Sequence, residues 1–169
     1  MTGGGTFNEA SPYATFTVTG QAGYDVVLKL NDSTADTATI SGFTYQYSLD
    51  GGLNWLPATP SAYNSNRTVT LPGTSGNASI LVRVDISSES NATYEGSETF
   101  SLTASYVTNA AKTSTASDTI VDDGSGRIDI NGDGDITDVN EGTGPGASFD
   151  DDRAVSVNSI TVNEASAYG

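Results

Sequence analysis

An all-β chain folded as an antiparallel β-sandwich is what this sequence predicts, and three observations predict it. Seven short runs alternate apolar and polar residues with period two, Gly, Asn, Asp and Pro fill the breaks between them, and no stretch carries the spacing of an amphipathic helix.

The runs succeed one another from residue 13 to residue 121. "YATFTV" at 13–18, "YDVVLKL" at 24–30, "FTYQYSL" at 43–49 and "RTVTL" at 67–71 are rich in β-branched and aromatic residues, which fit a pleated, half-buried surface. "SILVRVDI" at 79–86, "ETFSLTASY" at 98–106 and "STASDTIV" at 114–121 continue the series at the spacing of a sandwich. "LDGGLNW" at 49–55 sets Asp-Gly-Gly between two strand-like runs, a local hairpin signal. Beyond residue 121 the alternation stops, and Gly, Asp and Asn take over as far as residue 153.

Composition narrows the function. A chain of 169 residues suits one ordinary domain, or one domain with a structured linker. With 21 acidic residues against 6 basic ones the formal charge is −15, which repels nucleic-acid phosphates and anionic membrane surfaces. No apolar run is long enough to cross a membrane, so no membrane insertion is expected. The opening "MTGGGTFNEA" lacks the charged and apolar regions of a secretory signal, so the sequence is either a piece of a longer protein or relies on an export signal elsewhere.

Cysteine and histidine are both absent. That removes disulfides, the usual catalytic triads and nearly every zinc or copper site. An enzyme is not expected: paired carboxylates such as Glu95 and Glu98 would hydrolyse glycosides only across a cleft, which nothing in the sequence predicts. What remains for metal chemistry is oxygen. Asp, Glu, Asn and backbone carbonyls favour calcium, with magnesium a poorer fit to flexible multi-carboxylate loops.

A repeat changes what the chain is. "NEASPY" at 8–13 recurs as "NEASAY" at 163–168, preceded by "TF" in the first copy and "TV" in the second. The chain thus reads as a module of a tandem array: a sandwich over residues 1–121, an acidic calcium-binding linker over 122–153, and the first strand of the next unit over 154–169.

"TFNEASPYATFTV", "YEGSETFSLTAS" at 94–105 and "DTIVDDGSG" at 118–126 together resemble the Calx-beta type of Ig-like calcium-binding repeat. With "DDDRAVSVNSITVNEASAYG" closing one unit and opening the next, they are similar to the tandem repeats of giant RTX-type bacterial adhesins. The resemblance covers residues 6–126 as the sandwich and the remainder as the inter-repeat segment. It implies an Ig-like Greek-key sandwich with calcium near one end, type I secretion, and service in a stalk at the bacterial cell surface, in biofilm or against a host. Neighbouring repeats of the same chain are the implied partners, and a monomer is expected. The segment 41–66 is longer and more aromatic than a minimal repeat.

Carried over position by position, the resemblance implies Glu9, Glu95, Glu98, Asp122 and Asp123 as calcium ligands at one end of the sandwich. Charge agrees, because carboxylates brought together by strand ends repel unless a cation neutralises them. "RIDINGDGDITDVNE" at 127–141 suggests a second site. Asp129, Asn131 and Asp133 alternate, Gly134 follows for a sharp turn, and Ile136 falls at the eighth position of an EF-hand-like loop. The twelfth position is Asn140, so closure is left to Asp138 or Glu141, with Asp135 offering its backbone carbonyl. A solvated acidic linker is the competing reading of this stretch.

A different class of function attaches to the aromatic insert. Trp55 and Tyr47, with Tyr45 and Tyr63 near them, would stack on a carbohydrate or contact a peptide if exposed beside Asp50 and Asn54, and would be core packing if not. "FDDDR" at 149–153 offers a further set of carboxylates to Asp122 and Asp123, with Arg153 as a local ion-pair partner.

Overall fold

Alternation of apolar residues buries one face of each strand, and two such faces closed on each other make the core. The structure, a computed structural model, describes residues 1, 3–32, 40–143 and 149–153. The second copy of the repeat, with the strand expected over 154–169, lies outside the described residues.

The described residues form strands β1 (Thr6–Asn8), β2 (Tyr13–Gln21), β3 (Asp25–Asp32), β4 (Thr44–Ser48), β5 (Leu56–Ala62) and β6 (Arg67–Thr70). They continue with β7 (Asn77–Asp85), β8 (Glu98–Tyr106), β9 (Asn109–Val121), β10 (Arg127–Ile128) and β11 (Gly142–Thr143). The helical content among them is a single 3₁₀ turn, Ile40–Gly42. One sheet runs β2-β7-β4-β5, and the other runs β11-β10-β1-β9-β8-β3-β6. The fold is therefore a two-sheet β-sandwich. Most neighbours are antiparallel, but β1 runs parallel to both β9 and β10, so the larger sheet is mixed.

Register follows the hydrophobic pattern. Phe16 and Val18 of β2, Leu28 and Leu30 of β3, Val82 and Val84 of β7, and Phe100 and Leu102 of β8 all point inward and are buried. Phe100 sits at the centre, with Phe16 and Phe43 meeting it edge to face at 5.8 and 5.4 Å between ring centroids. The expected hairpin joins β4 to β5, and its turn is built by Gly51 and Gly52 at positive φ (75° and 96°). Asp50 closes it, accepting from the backbone N–H of Asn54 at 2.9 Å and from Asn54 Nδ2 at 2.7 Å.

β5 is the strand that the alternation does not reveal, since Pro57 and Pro60 interrupt it. It lies at the edge of the smaller sheet, where a missing N–H costs no ladder bond and discourages pairing with another chain.

The acidic segment is part of this architecture. β10 pairs with β1 and β11 pairs with β10, so residues 127–143 extend the larger sheet. The stretch set apart in sequence as a linker folds back onto the sandwich, and Asp129 and Ile128 within it are buried.

Candidate metal centre

Strand order brings distant carboxylates to one end. β1 and β9 finish side by side, with Asn8 opposite Val121, and β8 starts there, with Glu98 opposite Ile120. The residues just beyond those ends are Glu9 and Asp122, both buried, at 2% and 3% exposure. The segment 149–153 returns to the same place. Glu9, Asp150 and Asp152 each present a carboxylate oxygen, and these oxygens lie within 4.8 Å of one another.

This acidic pole is short of hydrogen-bond donors. Glu9 Oε1 and Asp152 Oδ2 are buried with no hydrogen-bond partner. Burial pushes the Glu9 carboxyl up to about 8, and the neighbouring charges of Asp122, Asp150 and Asp152 push the same way. Asp152 is raised too, by desolvation and by the charges of Asp150 and Asp122. Asp122 spends its oxygens on backbone amides, accepting from Glu95 N at 2.8 Å and Asp152 N at 3.3 Å. An all-oxygen donor set of this kind suits a hard cation.

A second trio stands beside the first. Glu89, Glu95 and Glu98 bring carboxylate oxygens within 4.8 Å of one another, with Glu98 buried and Glu95 exposed. Asn91 Nδ2 donates to Glu95 Oε2 at 3.1 Å, and the Glu95–Asp122 hydrogen bond links this loop to the first group. Asp123 stands apart: it is exposed and turns its Oδ1 to its own loop, accepting from Ser125 N at 3.0 Å and from the Ser125 hydroxyl.

The loop at 129–141 is organised by its own hydrogen bonds. Asp129 lies beneath it at 0% exposure. Its Oδ1 accepts from Gly132 N at 2.6 Å, and its Oδ2 accepts from Gly134 N at 3.0 Å and from Thr15 Oγ1 at 2.9 Å. Asn131, Asp133 and Asp135 each accept from the backbone N–H two residues on, at 2.8, 2.8 and 3.0 Å. Asn131 Nδ2 also donates to Asp133 and Asp138, each at 3.1 Å. Glu141 Oε1 caps the start of the loop, accepting from Ile130 N at 2.8 Å, while its Oε2 is buried without a partner. The alternating oxygens of this loop make a run of side-chain turns. The close carboxylate trios among the described residues are those of Glu9 with Asp150 and Asp152 and of Glu89 with Glu95 and Glu98.

Arg83 fastens the loop to the smaller sheet. Its guanidinium lies over the rings of Tyr13 and Trp55, at 4.4 and 4.3 Å from their centroids. Nη1 donates to Asn131 O at 2.6 Å, and Nη2 donates to Gln46 Oε1 at 2.8 Å. Trp55 is half-buried with one face on this cation, Tyr47 packs against the core, and Tyr45 is buried with its hydroxyl donating to Ser65 O. Gly132 passes over Arg83 at φ 77°, where a Cβ would stand 2.6 Å from Arg83 Cδ and 3.1 Å from Tyr13 Cγ. Gly132→Ala is therefore expected to destabilise the protein by about 1–3 kcal/mol through left-handed strain and overlap. A urea titration measures it, and an unchanged midpoint would show that the loop is not held in this position.

Sequence reasoning nominated Glu9, Asp122, Glu95 and Glu98, which the fold brings to one pole. The run at 149–153 was offered as further carboxylates for Asp122 and Asp123, and Asp150 and Asp152 of that run lie with Glu9; Glu89 and the role of Arg83 were not foreseen. The signal for Arg83 was a lone cation inside an apolar strand. No model of a known protein family matches the chain, and no curated protein matches it.

Proposed function

We propose that this chain is a calcium-stabilised Ig-like extender module of a large secreted adhesin at the bacterial cell surface, one unit of a tandem stalk. One observation carries the metal reading: Glu9 is buried with an unpartnered oxygen among Asp122, Asp150 and Asp152. The hexapeptide repeated at 163–168 and the resemblance of residues 6–126 to Calx-beta and RTX-adhesin repeats support the stalk reading.

The electrostatics supply the mechanism. With no cation, carboxylates gathered at the pole repel one another and weaken the attachment of residues 149–153. A bound calcium neutralises them and, by binding the folded form alone, adds stability of about 2.7 kcal/mol at one hundred times Kd. Scarce calcium inside a cell and millimolar calcium outside it would favour folding after export.

Thermal unfolding in chelator and across a calcium titration, with magnesium as the control, tests the proposal. The midpoint is expected to rise by about 5–10 °C near one hundred times Kd, with little response to magnesium. Equal midpoints in chelator and calcium would remove the metal and with it the stalk mechanism.

A further inference from the structure

We propose that Asn8 is the positioning residue of the acidic pole: a neutral side chain that sets calcium affinity by holding the segment with Asp150 and Asp152 against Glu9 and Asp122. This deepens the calcium reading above and rests on it.

Glu9 and Asp122 stand at the ends of neighbouring strands and are placed by the sheet itself. Asp150 and Asp152 belong to a segment outside any strand, so something else must bring them there. Asn8 is fully buried, at 0% exposure, and three of its four side-chain hydrogen bonds reach segments distant in the chain. Nδ2 donates to Ser125 O at 2.8 Å and to Asp150 O at 3.3 Å. Oδ1 accepts from Ala10 N at 2.9 Å and from Asp150 N at 3.3 Å. The carboxamide thus engages both backbone groups of Asp150, as a neighbouring strand would, and leaves the Asp150 side chain free to face Glu9.

The other ties on this segment are of a different kind. Asp152 N uses Asp122 Oδ1, an oxygen in the carboxylate group itself. Arg153 Nη2 donates to Asp123 O at 3.1 Å from an exposed position. Gly124 N donates to Asp150 O at 3.0 Å, sharing the carbonyl that Asn8 also holds. Asn8 contributes two bonds at Asp150 and spends no carboxylate. Its bonds oppose the mutual repulsion of the four acids before a cation arrives, which is preorganisation of the site. The same pair, Asn then Glu, opens the second copy of the repeat as Asn163 and Glu164.

The test is calcium calorimetry on the full chain, wild type against Asn8→Ala and Asn8→Ser, with the thermal midpoint in chelator recorded for each. Ser retains an acceptor for the Ala10 N–H, so it serves if the Ala variant does not fold. Both variants are expected to bind calcium about tenfold or more weakly, the size of effect typical of a group that orients a metal ligand. Adding Asp150→Asn to either is expected to cost little further affinity, because the two changes remove the same ligand. A purely structural Asn8 would lower the midpoint in chelator and leave calcium affinity within about twofold of wild type, with additive losses in the double variant. That result overturns this inference alone, whereas a wild-type chain that takes up no calcium overturns the calcium reading as well.

Discussion

Asp129→Ala is expected to lower the stability of the calcium-free protein by about 3 kcal/mol, because three donors lose a charged acceptor in a buried setting. Those donors are the N–H groups of Gly132 and Gly134 and the hydroxyl of Thr15. Burial itself raises the Asp129 carboxyl, so part of the loss is offset by removing a desolvated acid. Urea unfolding in chelator reads the difference. It also separates two roles, since an Asp129 that acted only as a calcium ligand would be nearly silent in chelator and would abolish the calcium increment. Loss of stability without calcium identifies Asp129 as the internal support of the 129–141 loop.

The second large effect belongs to Glu9. Its folded-state carboxyl titrates at about 8 against an ordinary 4.5, so the folded protein holds a proton that the unfolded chain releases. Metal-free stability should therefore fall as pH rises from about 4.5 to about 8, and level off beyond, where both states are ionised. Asp118, buried and raised to about 6, adds to the same slope over its lower half. The groups facing Glu9 are Asp122, Asp150 and Asp152, all acids, so no nearby cation reverses the sign. Calcium competes with that proton, and its binding should tighten across the same window.

Glu9→Gln removes the charge but keeps the shape, and its amide donates to the neighbouring carboxylates. In chelator at pH 8 it is expected to raise the midpoint by about 3–8 °C and flatten the pH slope. The same variant should lose most of the calcium response. A Glu9→Gln protein less stable than wild type in chelator would mean that the carboxylates at the pole are already compensated.

Much of the fold was legible because burial on one face imposes period two on the sequence. β8 occupies 98–106 as the alternation indicated, and the other six runs each contain their strand core. The strands not foreseen are those that alternation cannot mark. β1, β10 and β11 have three residues or fewer, and the prolines of β5 are tolerated only because it is an edge. The candidate site divides along the same line. Glu9, Asp122 and Glu98 were nominated by a resemblance, and the strand ends gather them. The acidic run holding Asp150 and Asp152 was visible as further carboxylates, but its hydrogen bonds to Asn8, far away in the chain, follow no local pattern. In the 129–141 loop the regular spacing of oxygens was legible, whereas the backbone turns it makes and the bond from Arg83 to Asn131 O were not.

The parallel pairing of β1 with β9 has a mechanical consequence. Glu9 N donates to Val121 O at 3.1 Å, Thr119 N donates to Gly5 O at 3.0 Å, and both strands run toward the acidic pole. Tension applied between the beginning of β1 and the acidic segment beyond β9 drags the two strands in opposite directions along their length. Their hydrogen bonds then carry the load together, in shear, where a hairpin pulled apart at its ends would yield one bond at a time. The end of β9 that bears such a pull is the end where the carboxylates collect, so an ion seated there would rivet the two strands against it.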